Sequence, residues 1–237
     1  MRIDKLLGEL GYGTRTELKK DLKTGLVKVN DTVIRDGGFH VVPEHDRIVY
    51  RGIPVVYRPY EYFILHKPQG YVCARKDNVY PTVMELIQTA TRHDLSPVGR
   101  LDQDTEGLLL ITNDGQLSHK LLSPKNHVDK TYLARLTGIV NEDDIRAFAK
   151  GLDIGDEKPT LPADLEICAV DTDSDTSEVL VTIREGRYHQ VKRMFQAVGK
   201  EVAYLKRLTF GPLTLDSSLG LGEYRELTEE ELKLLKG

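Results

Sequence analysis

Apolar residues recur at helical spacing near the start of the chain, at Ile3, Leu6, Leu7 and Leu10, and Gly11 and Gly13 close that segment. Thr14-Arg15-Thr16-Glu17 then reads as a capping box opening a second helix. That helix buries Leu18 and Leu22 and turns Arg15, Lys19, Lys20 and Lys23 to solvent. The run Leu26 to Ile34 alternates about Asn30-Asp31, the pattern of a hairpin, and Arg47-Ile48-Val49-Tyr50 adds a last short strand. Residues 1–50 therefore form a small α+β module of two helices and a small sheet.

Residues 51–60 carry two prolines and read as a linker. A larger domain over 61–237 begins with the strand Tyr62-Phe63-Ile64-Leu65 and the turn Pro68-Gln69-Gly70. A short helix is predicted over Val83 to Thr89, and a buried strand over the apolar run that starts at Leu108. Leu117, Leu121 and Leu122 fit one helix face, Thr131 to Leu136 and Val179 to Ile183 alternate as strands, and Gln190 to Val198 reads as a helix. Residues 171–178 are acidic and polar and read as an exposed turn, and Thr228-Glu229-Glu230-Glu231 caps a last helix. Helices and strands interleave irregularly, which predicts an α+β fold on a mixed, largely antiparallel sheet with flanking helices. No internal repeat is visible.

Composition narrows the function classes. The formal net charge is −4, which argues against binding to nucleic acid by bulk charge alone. The charge is unevenly spread, however. Residues 1–59 hold 11 basic against 8 acidic residues, and the stretch from Arg184 to Arg207 holds seven against two. Two basic zones in an otherwise acidic chain fit a polyanion of defined shape. Cys73 and Cys168 stand far apart, so a disulfide framework or a cysteine-based zinc site is not expected. No apolar signal core opens the chain, and no run approaches the roughly 18 apolar residues that span a bilayer. A soluble, cytoplasmic protein is expected, and a monomer.

The chemistry centres on one run, Val98-Gly99-Arg100-Leu101-Asp102-Gln103-Asp104-Thr105-Glu106-Gly107-Leu108-Leu109-Leu110-Ile111-Thr112-Asn113-Asp114-Gly115. Asp102 lies at the edge of a core strand, where a rigid scaffold can hold it. Taken alone it is a loop aspartate or a helix cap. Asp104 and Glu106 read as solvated, Tyr132 as core, Lys192 and Arg193 as a solvated helix face, and His189 as the holder of a structural hydrogen bond.

Three ordered blocks change that picture. Gly99-Arg100-Leu101-Asp102 through Thr112-Asn113-Asp114-Gly115 resembles the catalytic motif of pseudouridine synthases. Ser123-Pro124-Lys125 through Lys130-Thr131-Tyr132, and Glu185-Gly186-Arg187-Tyr188-His189-Gln190-Val191-Lys192-Arg193-Met194, match the same family. Arg2-Ile3-Asp4-Lys5-Leu6-Leu7, Thr14 to Leu18 and Gly25 to Asn30 resemble the S4 RNA-binding domain. Together they resemble the RsuA-type branch, which modifies small-subunit ribosomal RNA. The resemblance covers essentially the whole chain.

It implies an enzyme that breaks the N1–C1′ bond of a uridine, turns the base and joins C5 to C1′. Atoms are only rearranged, so no cofactor and no metal is implied. Asp102 would be the catalytic carboxylate, either as nucleophile or as a base that takes a ribose proton. Tyr132 would stack on the base, and Lys192 would pair with Asp102 and keep it ionised. Arg100 would contact RNA or fill the space left by the flipped base. Arg187 and Arg193, with Arg2, Lys5, Arg15, Lys19, Lys20, Lys23 and Lys28 of the first module, are candidates for RNA contacts. Flipping a base costs a few kcal/mol, and stacking on one aromatic returns roughly 1–3 kcal/mol. The partner implied is ribosomal RNA or an assembling small subunit, and the target implied is the small-subunit uridine conventionally numbered 516.

Other readings stay open at this point. A sister branch acts on large-subunit RNA and shares much of the pattern. A non-catalytic S4-type assembly factor is opposed by the intact Asp102, Tyr132 and Lys192. Glycoside hydrolysis by Asp102 with Asp104 is weak, because Thr105 and Gly107 read as loop. A zinc deaminase lacks its cysteine pair.

Overall fold

A computed structural model describes residues 1–88 and 92–237. The chain forms two units, one of residues 1–61 with 88–95, the other of residues 62–87 with 96–237.

In the first unit, α1 (Ile3–Glu9) and α2 (Arg15–Lys23) are followed by β1 (Val27–Val29), β2 (Thr32–Ile34), β3 (Ile48–Tyr50) and β4 (Ile53–Pro54). The capping box of α2 is present: the Glu17 amide donates to Thr14 Oγ1, and Glu17 Oε2 accepts from the Thr14 amide at 2.7 Å. The hairpin turn falls at Asn30 and Asp31, both at positive φ (48° and 69°), as a two-residue turn requires. Ile3, Leu6, Leu7, Leu18, Leu22 and Val27 are each 1% exposed or less and form the core.

Residues 51–60 do more than connect. Ile53 and Pro54 pair with β3, and Val55 and Tyr57 pack on the apolar core. The Arg51 guanidinium reaches back to Asp21 at 2.7 Å. Residues 92–95 also belong to this unit: Arg92 donates to Glu9 at 3.1 Å and to Asp94 at 2.6 Å. Contacts so distant in sequence have no local pattern that announces them.

The second unit is built on an eight-stranded sheet of β5 (Tyr62–Lys67), β6 (Ser96–Pro97), β7 (Glu106–Thr112), β8 (Lys130–Thr137), β9 (Asp164–Asp171), β10 (Thr176–Ile183), β11 (Glu201–Arg207) and β14 (Tyr224–Glu226). The order is β14-β5-β7-β11-β8-β10-β9, with β6 on β7. The β7–β11 pair is parallel and its other described neighbours are antiparallel, so the sheet is mixed and largely antiparallel. A small ribbon, β12 (Thr209–Phe210) with β13 (Leu213–Thr214), follows β11.

Four helices flank the sheet: α3 (Gly115–Leu122), α4 (Glu142–Lys150), α5 (Gln190–Ala197) and α6 (Glu229–Lys236). Phe148 of α4 and Val191, Met194 and Phe195 of α5 share one core with Ala134, Val179 and Val181. Leu117 and Leu121 of α3 and Leu235 of α6 share another with Ile64, Leu108 and Leu110. The strict alternation of β8 and β10 makes this possible, since every second side chain faces the helices.

Three local expectations are corrected. The helix expected over Val83 to Thr89 is a single 3₁₀ turn, Val83–Leu86, ended by the extended backbone of Ile87, and Thr89 lies outside the described residues. Leu122 is 45% exposed, because a fifth residue along the helix turns away from the face of Leu117. The turn expected over 171–178 is confined to 172–175. Asp171 Oδ1 accepts from the Asp173 and Ser174 amides there, Asp175 takes φ 51°, and Thr176–Glu178 already pair in β10.

Candidate active site

The Asp102 loop enters β7 through a fixed geometry. The Thr105 amide donates to Asp102 O at 3.1 Å, closing a tight turn, and the Leu101 amide donates to Cys73 Sγ at 3.3 Å. Beneath the turn lies Lys67, the last residue of β5, with 0% exposure. Its ammonium donates to the carbonyls of Pro68, Asp102, Gln103 and Thr105 at 3.0, 3.0, 3.3 and 2.8 Å. Burial pushes the Lys67 pKa down, against the pull of Cys73, Asp104, Asp102 and Glu106. The sequence reading missed Lys67. Its only signal was a lysine ending a largely apolar strand, before the Pro68-Gln69-Gly70 turn.

Gly107 fixes the loop from the other side. It lies opposite Arg207 in the parallel β7–β11 pair at φ 109°. A Cβ there would stand 2.5 Å from the Arg207 amide nitrogen and closer still to its carbonyl oxygen. Only glycine lets the two backbones approach this closely.

The Asp102 carboxylate opens into a cavity of about 690 Å³, within the second unit, that is also lined by Tyr132, Lys192, His189, Lys130 and Arg207. The structure thus brings together the three candidates Asp102, Tyr132 and Lys192. Tyr132 points inward from β8 and is 7% exposed. Lys192, in the first turn of α5, stands 3.5 Å from Asp102 Oδ2, an ion-pair distance. Its hydrogen bonds, however, go to both oxygens of Asp104 at 2.6 and 2.8 Å. Asp104 is exposed, as expected, but paired: partial burial opposes ionisation, yet the Lys192 bond and charge hold its carboxyl below the usual range. Glu106 is likewise engaged, accepting from the Tyr204 hydroxyl at 2.7 Å. His189, expected to hold a structural hydrogen bond, has Nε2 at 3.6 Å from Asp102 Oδ1, and its ring stacks on Tyr188 at 3.8 Å.

The arginine candidates separate. Arg100 is exposed at the cavity wall. Arg187 and Arg193 are also engaged within the protein. Arg187 donates to Glu185 at 2.9 Å and to the carbonyls of Lys158 and Pro159 at 2.6 and 2.8 Å. Arg193 donates to Asp156 at 2.5 Å and to the carbonyls of Tyr188 and Ile154. Their charge holds the 154–159 segment against α5, a contact between segments some 30 residues apart that composition cannot reveal. In the first unit Arg15, Lys19, Lys20, Lys23 and Lys28 are exposed, while Arg2 pairs with Asp4 at 2.6 Å and Lys5 with Glu9 at 3.7 Å.

Among the described residues no three His, Cys, Asp or Glu side chains converge in a way that could hold a metal ion, and no helix is long and apolar enough to cross a membrane.

A carboxylate on a hydrogen-bonded loop, faced by a cation and walled by a buried tyrosine, is suited to chemistry on one small ring. Residues 61–197 match the family model described as RNA pseudouridylate synthase. The chain belongs to the RNA pseudouridylate synthase family. Residues 1–48 of this pseudouridine synthase match the S4 domain. It is 48% identical over 236 residues to an uncharacterized RNA pseudouridine synthase of Bacillus subtilis (strain 168), covering 99% of this chain and 98% of that one. It is 43% identical over 235 residues to ribosomal small subunit pseudouridine synthase A of Escherichia coli (strain K12), covering 98% of each. A crystal structure of a pseudouridylate synthase superposes with TM-score 0.69 at 41% identity, covering 99% of both chains.

Proposed function

We propose that this pseudouridine synthase isomerises one uridine of small-subunit ribosomal RNA, at the position conventionally numbered 516. The observation that carries the reading is the convergence of Asp102, Lys192 and Tyr132 on one cavity. The relative from Escherichia coli, named for the small ribosomal subunit and matched along nearly its whole length, supports the choice of RNA over a large-subunit target.

In this reading the target uridine leaves its stack and enters the cavity, where Tyr132 lies against the base. Asp102 acts at the ribose, as nucleophile on C1′ or as base toward a ribose proton. Lys192 stands 3.5 Å from the carboxylate and can hold its orientation. The bond from N1 to C1′ breaks, the base turns, and C5 bonds to C1′. The proton lost from C5 is balanced by one gained at N1. Residues 1–50 act as the RNA-binding module through Arg15, Lys19, Lys20, Lys23 and Lys28, and a cytoplasmic monomer working on an assembling subunit fits the reading.

The test is pseudouridine mapping on ribosomal RNA from cells with and without the protein, complemented by wild type or by Asp102→Asn. The modification at 516 is expected to vanish on deletion, to return with wild type and not with the variant. A missing pseudouridine in large-subunit RNA instead would overturn the target, and full activity of Asp102→Asn would overturn the catalytic assignment.

A further inference from the structure

Two buried cations line the Asp102 cavity, and no role given above uses them. Lys130, the first residue of β8, is 9% exposed, and Arg207, the last of β11, is 2% exposed. The register sets Arg207 directly opposite Tyr132. Lys130 precedes Tyr132 by two residues, so all three side chains leave the sheet on one face. Opposed residues on such strands hold their Cβ atoms about 4.5–5.5 Å apart. A ring lying against Tyr132 is therefore within reach of both cations. Both also approach the ring of Phe210, at 5.5 Å for Lys130 and 5.0 Å for Arg207.

Among the described residues neither forms an ion pair with a carboxylate. Lys130 Nζ donates to the Val128 carbonyl at 2.7 Å, and Arg207 Nε to the Leu108 carbonyl at 2.8 Å. Arg207 Nη2 is buried with no hydrogen-bond partner among the described residues. Burial and then the Arg207 charge bring the Lys130 ammonium down to about 8, against the weaker pull of Asp129 and Glu185. At neutral pH it is still mostly charged. Charge buried without a counter-ion is expensive, and a cavity that keeps two such groups side by side is built to receive negative charge.

We propose that Lys130 and Arg207 together stabilise the negative charge that the uracil ring acquires when its N1–C1′ bond breaks. The inference rests on the cavity being the site of uridine isomerisation. When the bond breaks, its electron pair leaves on N1 and spreads over O2 and O4, and the two cations face that charge. It is returned when C5 bonds to C1′. The C5 proton then departs and N1 takes one up, so no atom is gained or lost. The uracil anion forms whether Asp102 bonds C1′ or removes a ribose proton, so the pair serves either route. Uracil fits better than a backbone phosphate, because Arg207 is nearly inaccessible and directly opposes the tyrosine assigned to the base.

The test uses the full chain and a ribosomal RNA substrate under single-turnover conditions, with Lys130→Met, Arg207→Met and the charge-keeping Lys130→Arg. Losing one preorganised group at developing charge lowers rates by about 10²-fold. That loss is expected in the rate constant at saturating enzyme for each Met variant, with RNA affinity changed less than about threefold and substantial rescue in Lys130→Arg. A second substrate carries 5-fluorouridine, whose more acidic uracil is a better leaving group, and cleavage of N1–C1′ is read directly. The defect is expected to shrink at least severalfold there. Unchanged rates, an equal loss on both substrates, or a loss confined to affinity with a shallower salt dependence would overturn the proposal, the last indicating a phosphate seat. Should Arg207→Met fail to fold, Lys130→Met decides alone. Asp102→Asn, run in parallel, separates the two readings: an active Asp102→Asn sinks the site itself, whereas an inactive one beside fully active Met variants sinks only the cation pair.

Discussion

Gly107→Ala tests the coupling between the Asp102 loop and the sheet with one methyl group. The added Cβ meets the Arg207 backbone, at 2.5 Å from its nitrogen and nearer to its oxygen, and backbone cannot swing aside as a side chain can. Two terms add. A non-glycine residue held in a sparsely populated region such as φ 109° costs of order 1–3 kcal/mol. Overpacking at a site that must move backbone costs typically another 1–3 kcal/mol. The expected loss is thus about 2–6 kcal/mol, a large share of the roughly 5–15 kcal/mol that holds a domain folded. Relief can come only by parting β7 from β11, whose parallel pairing here spans just Lys206↔Glu106 and Arg207↔Gly107. That parting would also move Arg207 from the Leu108 carbonyl and shift the Asp102 turn. Urea unfolding at fixed temperature measures the first effect, and single-turnover conversion of uridine in folded protein measures the second. A variant destabilised by less than about 1 kcal/mol with full turnover would refute the argument.

Two further outcomes follow from the same geometry. Lys67→Met removes the donor to three carbonyls of the Asp102 turn and to that of Pro68, and leaving buried acceptors unpaired costs about 1–3 kcal/mol each before relaxation. A lower melting temperature and a fall in kcat with little change in KM are expected, and kinetics at wild-type level would contradict the positioning role. The second outcome concerns acid. Ser218 and Arg225 hold the Asp216 carboxyl down to about 2. A carboxyl depressed in the folded state lends stability above its unfolded pKa and loses it as pH falls through the folded value. Melting temperatures followed from pH 5 downward should therefore drop less steeply in Asp216→Asn than in wild type between about pH 4 and 2, and parallel curves would disprove the linkage.

Much of the site was legible because its motifs are local. Asp102, Tyr132 and Lys192 each sit in a run of neighbours that resembles a known pattern, and the cavity gathers all three. The helix starts at Thr14 and Thr228 were legible for a similar reason, since a capping box lies within four residues. What stayed hidden depends on register. Lys67, Lys130 and Arg207 are ordinary cations in the sequence, and become buried parts of the site only because β5, β8 and β11 are laid beside β7 and one another. Arg187 and Arg193 show the same dependence on the fold. Read as candidate RNA contacts, they also bind Asp156 and nearby carbonyls, a second engagement the sequence does not display.

The sequence by itself determined the family, the mixed α+β character and the Asn30-Asp31 hairpin, and it singled out Asp102 as the candidate carboxylate, because each is written in residues close together along the chain. Tertiary structure alone decided which cations surround that carboxylate. Lys192 is shared with Asp104, Lys67 is drawn under the turn, and Lys130 and Arg207 are shut in beside Tyr132. Charges act over a few ångströms of space rather than along the chain, and sequence order carries no measure of that distance.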